Sequence, residues 1–231
     1  MAMPYLYEFT ALILATVSAL LPIANPFSTA PVFVSLTGYM SAKERNQQAQ
    51  LAAVYMAVTL LVTLILGTII LSFFGIGILA VRVAGGILIA KIGLSMVSSQ
   101  GQSPISEEDK SEAFASHDIA FVPIAMPLLS GPGSMAVTLG MASQAEHYNE
   151  YLGVSIGIII VAFMSWLVLR SANSVSKFLG TGGLNALTKI MGFLLLCIGT
   201  RFIFQGIIEA LVLPEVMGAL VKAVQQGMMQ I

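Results

Sequence analysis

Charge is what this chain has least of. Of 231 residues, 9% are Asp, Glu, Lys or Arg and 57% are hydrophobic, whereas soluble domains carry about 25% charged residues. So few charges cannot cover a water-soluble fold of this size, which excludes that class and points to an integral membrane protein. Ten basic residues stand against eleven acidic ones, so there is no basic footprint for nucleic acid. Cysteine occurs once, at Cys197 in an apolar run, which excludes an intrachain disulfide and a thiolate metal cluster. Cys197 reads as a small packing residue, and His117 and His147, in polar turns, read as solvated. P-loop, dinucleotide fingerprint and nucleophile–base constellation are all lacking. The expectation is therefore no enzyme, no ATP-driven pump and no cofactor. Residues 1–10 lack a basic stretch ahead of the apolar run, so the first hydrophobic segment reads as retained rather than cleaved.

What the chain does have is long hydrophobic runs. Residues 9–42 hold no charge. As one helix they would reach about 50 Å, well past a hydrocarbon core of about 30 Å. Pro22, Asn25-Pro26 and Pro31 mark where this run must break, because proline removes an amide donor and pushes the preceding residue away from helical angles. Ser41, three positions before Glu44, predicts a capping box that opens the next helix. An uncharged span follows to about residue 74, then a turn at Gly75 and Gly77, then a third span over 78–97. Residues 100–118 carry five of the eleven acids and read as a polar linker. The plan then repeats. Residues 119–145 are uncharged and broken by Pro123, Pro127 and Gly131-Pro132-Gly133. A span follows over 151–169, then a glycine-containing loop over 177–189, then a sixth span over 190–213. Residues 214–231 read as an interfacial helix or tail.

A shift of 106 positions lays Asn25-Pro26 on Gly131-Pro132, Ser28 on Ser134 and Ala30 on Ala136. The same shift lays Gly86, Ile92 and Gly93 on Gly192, Ile198 and Gly199. The fold expected is all-α: six transmembrane helices in two three-helix repeats, 1–99 and 119–213, with helices 1 and 4 broken. An odd number of spans per half makes the repeat inverted. Basic residues favour the side holding Lys43, Arg45, Lys110, Arg170, Lys177 and Lys189 as cytoplasmic, with both termini outside.

The two breaks carry the chemistry. Irregular backbone at membrane depth persists only where it is buried or lines a cavity. Each break frees amides after the proline, at Phe27 and Ser28 and at Gly133 and Ser134. It also frees carbonyls before it, around Ile23 and Ala24 and around Leu129 and Ser130. Helix N-termini attract anions and C-termini attract cations, so facing breaks form a site with both poles and no formal charge, suited to a small zwitterion. The candidate residues are Asn25, Pro26, Phe27, Ser28, Ser130, Gly131, Pro132, Gly133 and Ser134, with Thr29 adding a hydroxyl. A bulky replacement at Gly131 is expected to fill this site and leave the fold intact. Lys91 and Arg201 are the basic residues deepest in spans and are secondary candidates. No acid lies mid-span, so a carboxylate proton relay has no support. Gly153/Gly157 and Ala136/Gly140 have the small-xxx-small spacing of helix packing.

The segments LLPIANPFSTAPVFVSLT, SAKERNQQA, RVAGGILIAKIG, IAFVPIAMPLLSGPG and MGFLLLCIGTRFI together resemble the MarC family of bacterial and archaeal inner-membrane proteins. The resemblance runs from about Leu12 to Glu209. It implies six helices in two inverted halves and an inner-membrane location. An archaeal relative is regarded as a transporter of small neutral amino acids such as glycine and alanine, with its substrate near the two broken helices. Carried over, this nominates Asn25, Pro26, Gly131, Pro132 and Gly133. The chain has NPF where many members have NPI or NPL, which bears on pocket size, and it has Ser130 before GPG where others differ. The expected function is a secondary transporter of small neutral amino acids by alternating access, coupled, by class, to H+ or Na+. The alternatives are a non-transporting scaffold or accessory subunit and, less favoured, a passive channel. Beyond the substrate and the lipid bilayer no partner is implied, and a homo-oligomer stays open.

Overall fold

The computed structural model describes residues 2–98, 119–145 and 147–212, and among them every regular element is a helix. The elements are α1 (Ala2–Ala24), α2 (Pro26–Leu36), α3 (Ala42–Phe73), α4 (Ile78–Ser98), α5 (Ala120–Leu129), α6 (Pro132–Ala142), α7 (Tyr148–Arg170) and α8 (Ala172–Val212). Five are long and apolar enough to cross a membrane, and there are six spans if α5 and α6, bent by 61°, are taken as one. The expected linker 100–118 and tail 214–231 lie outside the described residues.

Local sequence explains most boundaries. Ser41 Oγ accepts from the Glu44 amide at 3.3 Å, and Glu44 Oε2 accepts from the Ser41 amide at 2.8 Å, so the predicted capping box opens α3. Glu150 reaches back in the same way to the His147 amide at the start of α7. At the end of α3 the amide of Gly75 donates to Ser72 O and that of Ile76 to Leu71 O, a Schellman cap. Gly75 sits at φ +65, where a side chain would be strained.

Two expectations are corrected. Cys197, expected to pack inside, is exposed on α8. The loop expected over 177–189 shrinks to a break at Gly180, where φ is 59 and ψ −178, between two helical stretches of α8. Gly182 and Gly183 stay helical, since glycine permits a turn without imposing one. The shift of 106 positions carries Pro26–Leu36 onto Pro132–Ala142 and the start of α3 at Ala42 onto the start of α7 at Tyr148.

The helices face lipid on one side and each other on the other. On α3, Val54, Val58, Val62, Ile65, Ile69 and Phe73 are exposed, while Ala49, Ala52, Met56, Leu60 and Leu64 are buried. An outward stripe of branched aliphatics is the surface a bilayer solvates. With hydrocarbon already outside, apolar burial cannot draw the helices together, and close packing through small residues must. The seam between α4 and α8 does this. A methyl built on Gly86 would lie 2.7 Å from Gly199 O, and one on Gly93 would lie 2.6 Å from Gly192 O. The pairing of 86 with 199 and 93 with 192 makes the two helices antiparallel. Near one end of the seam Arg82, almost buried, forms an ion pair with Glu209. The predicted packing face of α7 is also real: Gly153 meets Leu12 and Gly157 meets Thr16 on α1.

Candidate functional site

The first break is a single residue. Asn25 has φ 35 and ψ 63, the only non-glycine positive φ among the described residues. Asparagine tolerates this left-handed geometry because its short side chain can bond locally, and Pro26 disfavours the helical alternative before it. The Asn25 amide closes α1 by donating to Leu21 O at 3.0 Å. Its Oδ1 then accepts from the Ser28 amide at 3.3 Å, capping α2. Its carbonyl accepts from the amides of Ser28 (3.1 Å) and Thr29 (3.3 Å) and from Thr29 Oγ1. Asn25 Nδ2 donates to Ser28 Oγ, which also pairs with Thr188 Oγ1 at 3.2 Å on α8. Asn25 is thus a buried capping residue, and a polar chain Asn25–Ser28–Thr188 ties α2 to α8. Pro26 and Thr29 are buried, and Phe27 and Ser28 half-buried.

The second break is longer. Val122 and Met126, each preceding a proline, leave helical geometry within α5, and the bonds there span five residues, as from the Ile124 amide to Ile119 O. Ser130 Oγ donates to Ala125 O at 2.8 Å, which also accepts from the Ser130 amide, and Ser134 Oγ donates to Leu129 O at 3.0 Å, so both hydroxyls are engaged by backbone carbonyls at the break. Gly131 caps α6 without a side-chain bond. The two N-termini therefore differ: Asn25 closes that of α2, whereas no side chain closes that of α6, where Gly133 and Ser134 are buried and Pro132 is exposed.

The breaks meet at Gly133. A methyl there would lie 3.1 Å from Ile23 Cγ2, at the end of α1, and 2.7 Å from Ile92 Cδ1 on α4. Gly131 behaves differently from expectation. A methyl there would overlap the Pro127 carbonyl oxygen, so a larger side chain disturbs the backbone instead of entering open space.

An open cavity of about 1450 Å³ lies elsewhere, among α1, the end of α6, the start of α7 and α8. Its polar lining includes Glu8, Ser18, Gln144, Asn149, Glu150, Arg201 and Gln205, with Ala19 and Ile198 among its apolar residues. None of the nine candidate residues lines it. Ala19 is one helical turn from Ile23, so the cavity approaches the breaks across a short apolar stretch that includes buried Leu20. Arg201 lines the cavity and Lys91 does not. No group of three His, Cys, Asp or Glu among the described residues is placed to hold a metal. Thr188 was missed as a site neighbour, and Ile23 was named only for its carbonyl, whereas its side chain is what meets Gly133. Ile92 and Ile198 carried a signal, since the 106-residue shift pairs them.

These features sit in a recognisable lineage. The sequence model for the MarC family integral membrane protein matches residues 9–211. Inner membrane protein MarC of Salmonella typhimurium is 38% identical over 201 residues, 82% of this chain and 91% of that protein. The proteins of the same name from Escherichia coli O1:K1 / APEC and Citrobacter koseri are 39% and 37% identical over the same shares. No solved structure matches the chain. Matched over most of its length and built of apolar spans, the chain belongs to the MarC family and is a multi-pass inner-membrane protein.

Proposed function

We propose that this protein is a secondary transporter of small neutral amino acids, working by alternating access around two broken helices of an inverted repeat. The observation that carries the reading is the junction at Gly133. There the C-terminal end of α1, at Ile23, abuts the N-terminal end of α6. A helix C-terminus favours the ammonium of a zwitterion and an N-terminus its carboxylate. The buried amides of Gly133 and Ser134, with no side-chain cap, are the proposed carboxylate site; carbonyls near Ala24 and Ser130 are the proposed ammonium site. Because Asn25 Oδ1 already takes the Ser28 amide, the α2 end contributes through position and polarity more than through a free donor.

Inversion has its own support. Gly86 and Gly93 are equivalent, under the shift of 106, to Gly192 and Gly199, and each pairs across the seam with the equivalent of the other. That exchange is what a two-fold axis lying across antiparallel helices would produce, and it supports the inverted reading. The 1450 Å³ cavity is far larger than a glycine or alanine site needs and suits an access path that ends above the breaks. Under the orientation favoured by the basic residues, it opens to the periplasm, both termini are periplasmic and residues 100–118 are cytoplasmic. Coupling to H+ or Na+ follows from the transporter class.

The test is a thermal-shift screen of the purified protein against the twenty amino acids, followed by counterflow in proteoliposomes. A ligand that binds only the folded state adds about 2.7 kcal/mol of stability at a hundredfold excess over Kd. Glycine or alanine is expected to stabilise the parent protein and not Gly133→Ala, whose methyl presses on Ile23 and Ile92 beside the proposed amides. Absence of any shift up to tens of millimolar, with no saturable uptake, would leave the scaffold reading.

A further inference from the structure

On the face opposite the cavity, three cations converge from two helices. Lys43 and Arg45 in the first turn of α3 and Arg170 at the last residue of α7 surround a pocket of about 400 Å³, with Ala42 and Asn46 completing it. None of the three is in an ion pair among the described residues. Glu44 lies between Lys43 and Arg45 in sequence, but its carboxylate is turned back onto the Ser41 amide in the helix cap. Asn46 Oδ1 is buried and has no hydrogen-bond partner. Three cations gathered at one pocket repel one another, and the neighbouring Glu44 carboxylate is held on the Ser41 amide. Such a cluster is stabilised by an anion.

The depth of the pocket says which anion. From Tyr148 to Arg170, α7 runs 23 residues, about 35 Å, which places Arg170 at the headgroup level opposite Tyr148. The Arg170 guanidinium lies 5.1 Å from the Trp166 ring centroid, and tryptophan concentrates at that level. One and two turns deeper on α7, Leu167 and Phe163 are exposed, offering an apolar track below the cations. We infer that this pocket binds the headgroup of an anionic phospholipid. Its phosphodiester lies between Lys43, Arg45 and Arg170, and its acyl chains lie along Phe163 and Leu167. This site is separate from the proposed substrate site and does not depend on it.

Native mass spectrometry of the full-length protein tests this with phosphatidylglycerol, phosphatidylcholine of the same acyl chains, and inorganic phosphate. Phosphatidylglycerol is expected to be retained in preference to phosphatidylcholine, and the preference to fall as salt rises. A cation near an anionic headgroup contributes roughly fivefold in affinity, so Arg45→Gln/Arg170→Gln should lose roughly twenty-fivefold, while Arg45→Lys/Arg170→Lys largely retains binding. Lys91→Gln, outside the pocket, should bind as the parent does. Equal retention of the two lipids overturns the proposal. So does an equal loss in Lys91→Gln, which would mean diffuse attraction. Displacement of phosphatidylglycerol by millimolar inorganic phosphate would assign the pocket to free phosphate instead. Size-exclusion profiles matching the parent's establish that each variant is folded.

Discussion

Asn25 combines two jobs that usually fall to different residues: it takes a left-handed backbone and it caps the helix that follows. Asn25→Gly keeps the backbone and loses the cap, which costs only a few tenths of a kcal/mol when glycine substitutes. Asn25→Ala loses the cap and strains the backbone, about 2–3 kcal/mol together. Thermal denaturation in detergent is expected to rank them parent, Gly, Ala; an alanine variant as stable as the glycine one would mean the left-handed geometry is not held. The two glycines of the second break separate in the same way. Gly131→Ala drives a methyl into the Pro127 carbonyl and should reduce the yield of monodisperse protein. Gly133→Ala meets only the ends of Ile23 and Ile92, which can turn aside, and should purify like the parent. Equal behaviour of the pair in size exclusion would contradict the geometry.

At the scale of elements, the glycines of the α4/α8 seam set how closely these two helices approach. Gly86→Ala and Gly199→Ala each place a methyl against backbone of the facing helix, within 2.7 Å. Overpacking of this kind costs about 1–3 kcal/mol. Gly77→Ala has nothing within 4 Å and should be neutral within about 0.5 kcal/mol. A melting-temperature drop in the two seam variants and none in Gly77→Ala is the expected pattern. The sixth span illustrates why elements resist a local reading. Gly180, Gly182 and Gly183 look alike in sequence, yet only Gly180 leaves the helix. It follows a stretch that matches the end of α3 under the 106-residue shift, so Gly180 stands where Phe74 closes α3.

For the whole molecule, the cavity and the cationic pocket occupy opposite ends of α7, near Glu150 and at Arg170. In a Cys197→Ser background, which removes the single exposed cysteine, Gln144→Cys should react with a membrane-impermeant maleimide added outside spheroplasts. Asn46→Cys should react only after the membrane is opened. The reverse pattern would invert the proposed orientation, and labelling of both from one side would exclude a spanning arrangement for the helices between them. Added glycine should slow labelling of Gln144→Cys if the cavity is the access path, because a site that closes around substrate withdraws its vestibule from solvent.

The membrane class, the apolar helices, the interruptions at Asn25 and before Pro132, and the cap of α3 were legible in the sequence, because each depends on local quantities. Charge density decides the solvent, proline removes a donor where it stands, and a capping box closes over four residues. The 106-residue periodicity was also legible, since it is a relation between letters. Which atoms the breaks present could not be read. Whether an amide freed by Pro26 stays free depended on Asn25 folding back onto Ser28, and on Thr188 arriving from 160 residues away. The room beside Gly131 depended on where Pro127 points its carbonyl. The large cavity depended on how four helices diverge. These are consequences of packing, in which atoms distant in the chain compete for one volume, and only the tertiary structure decided them.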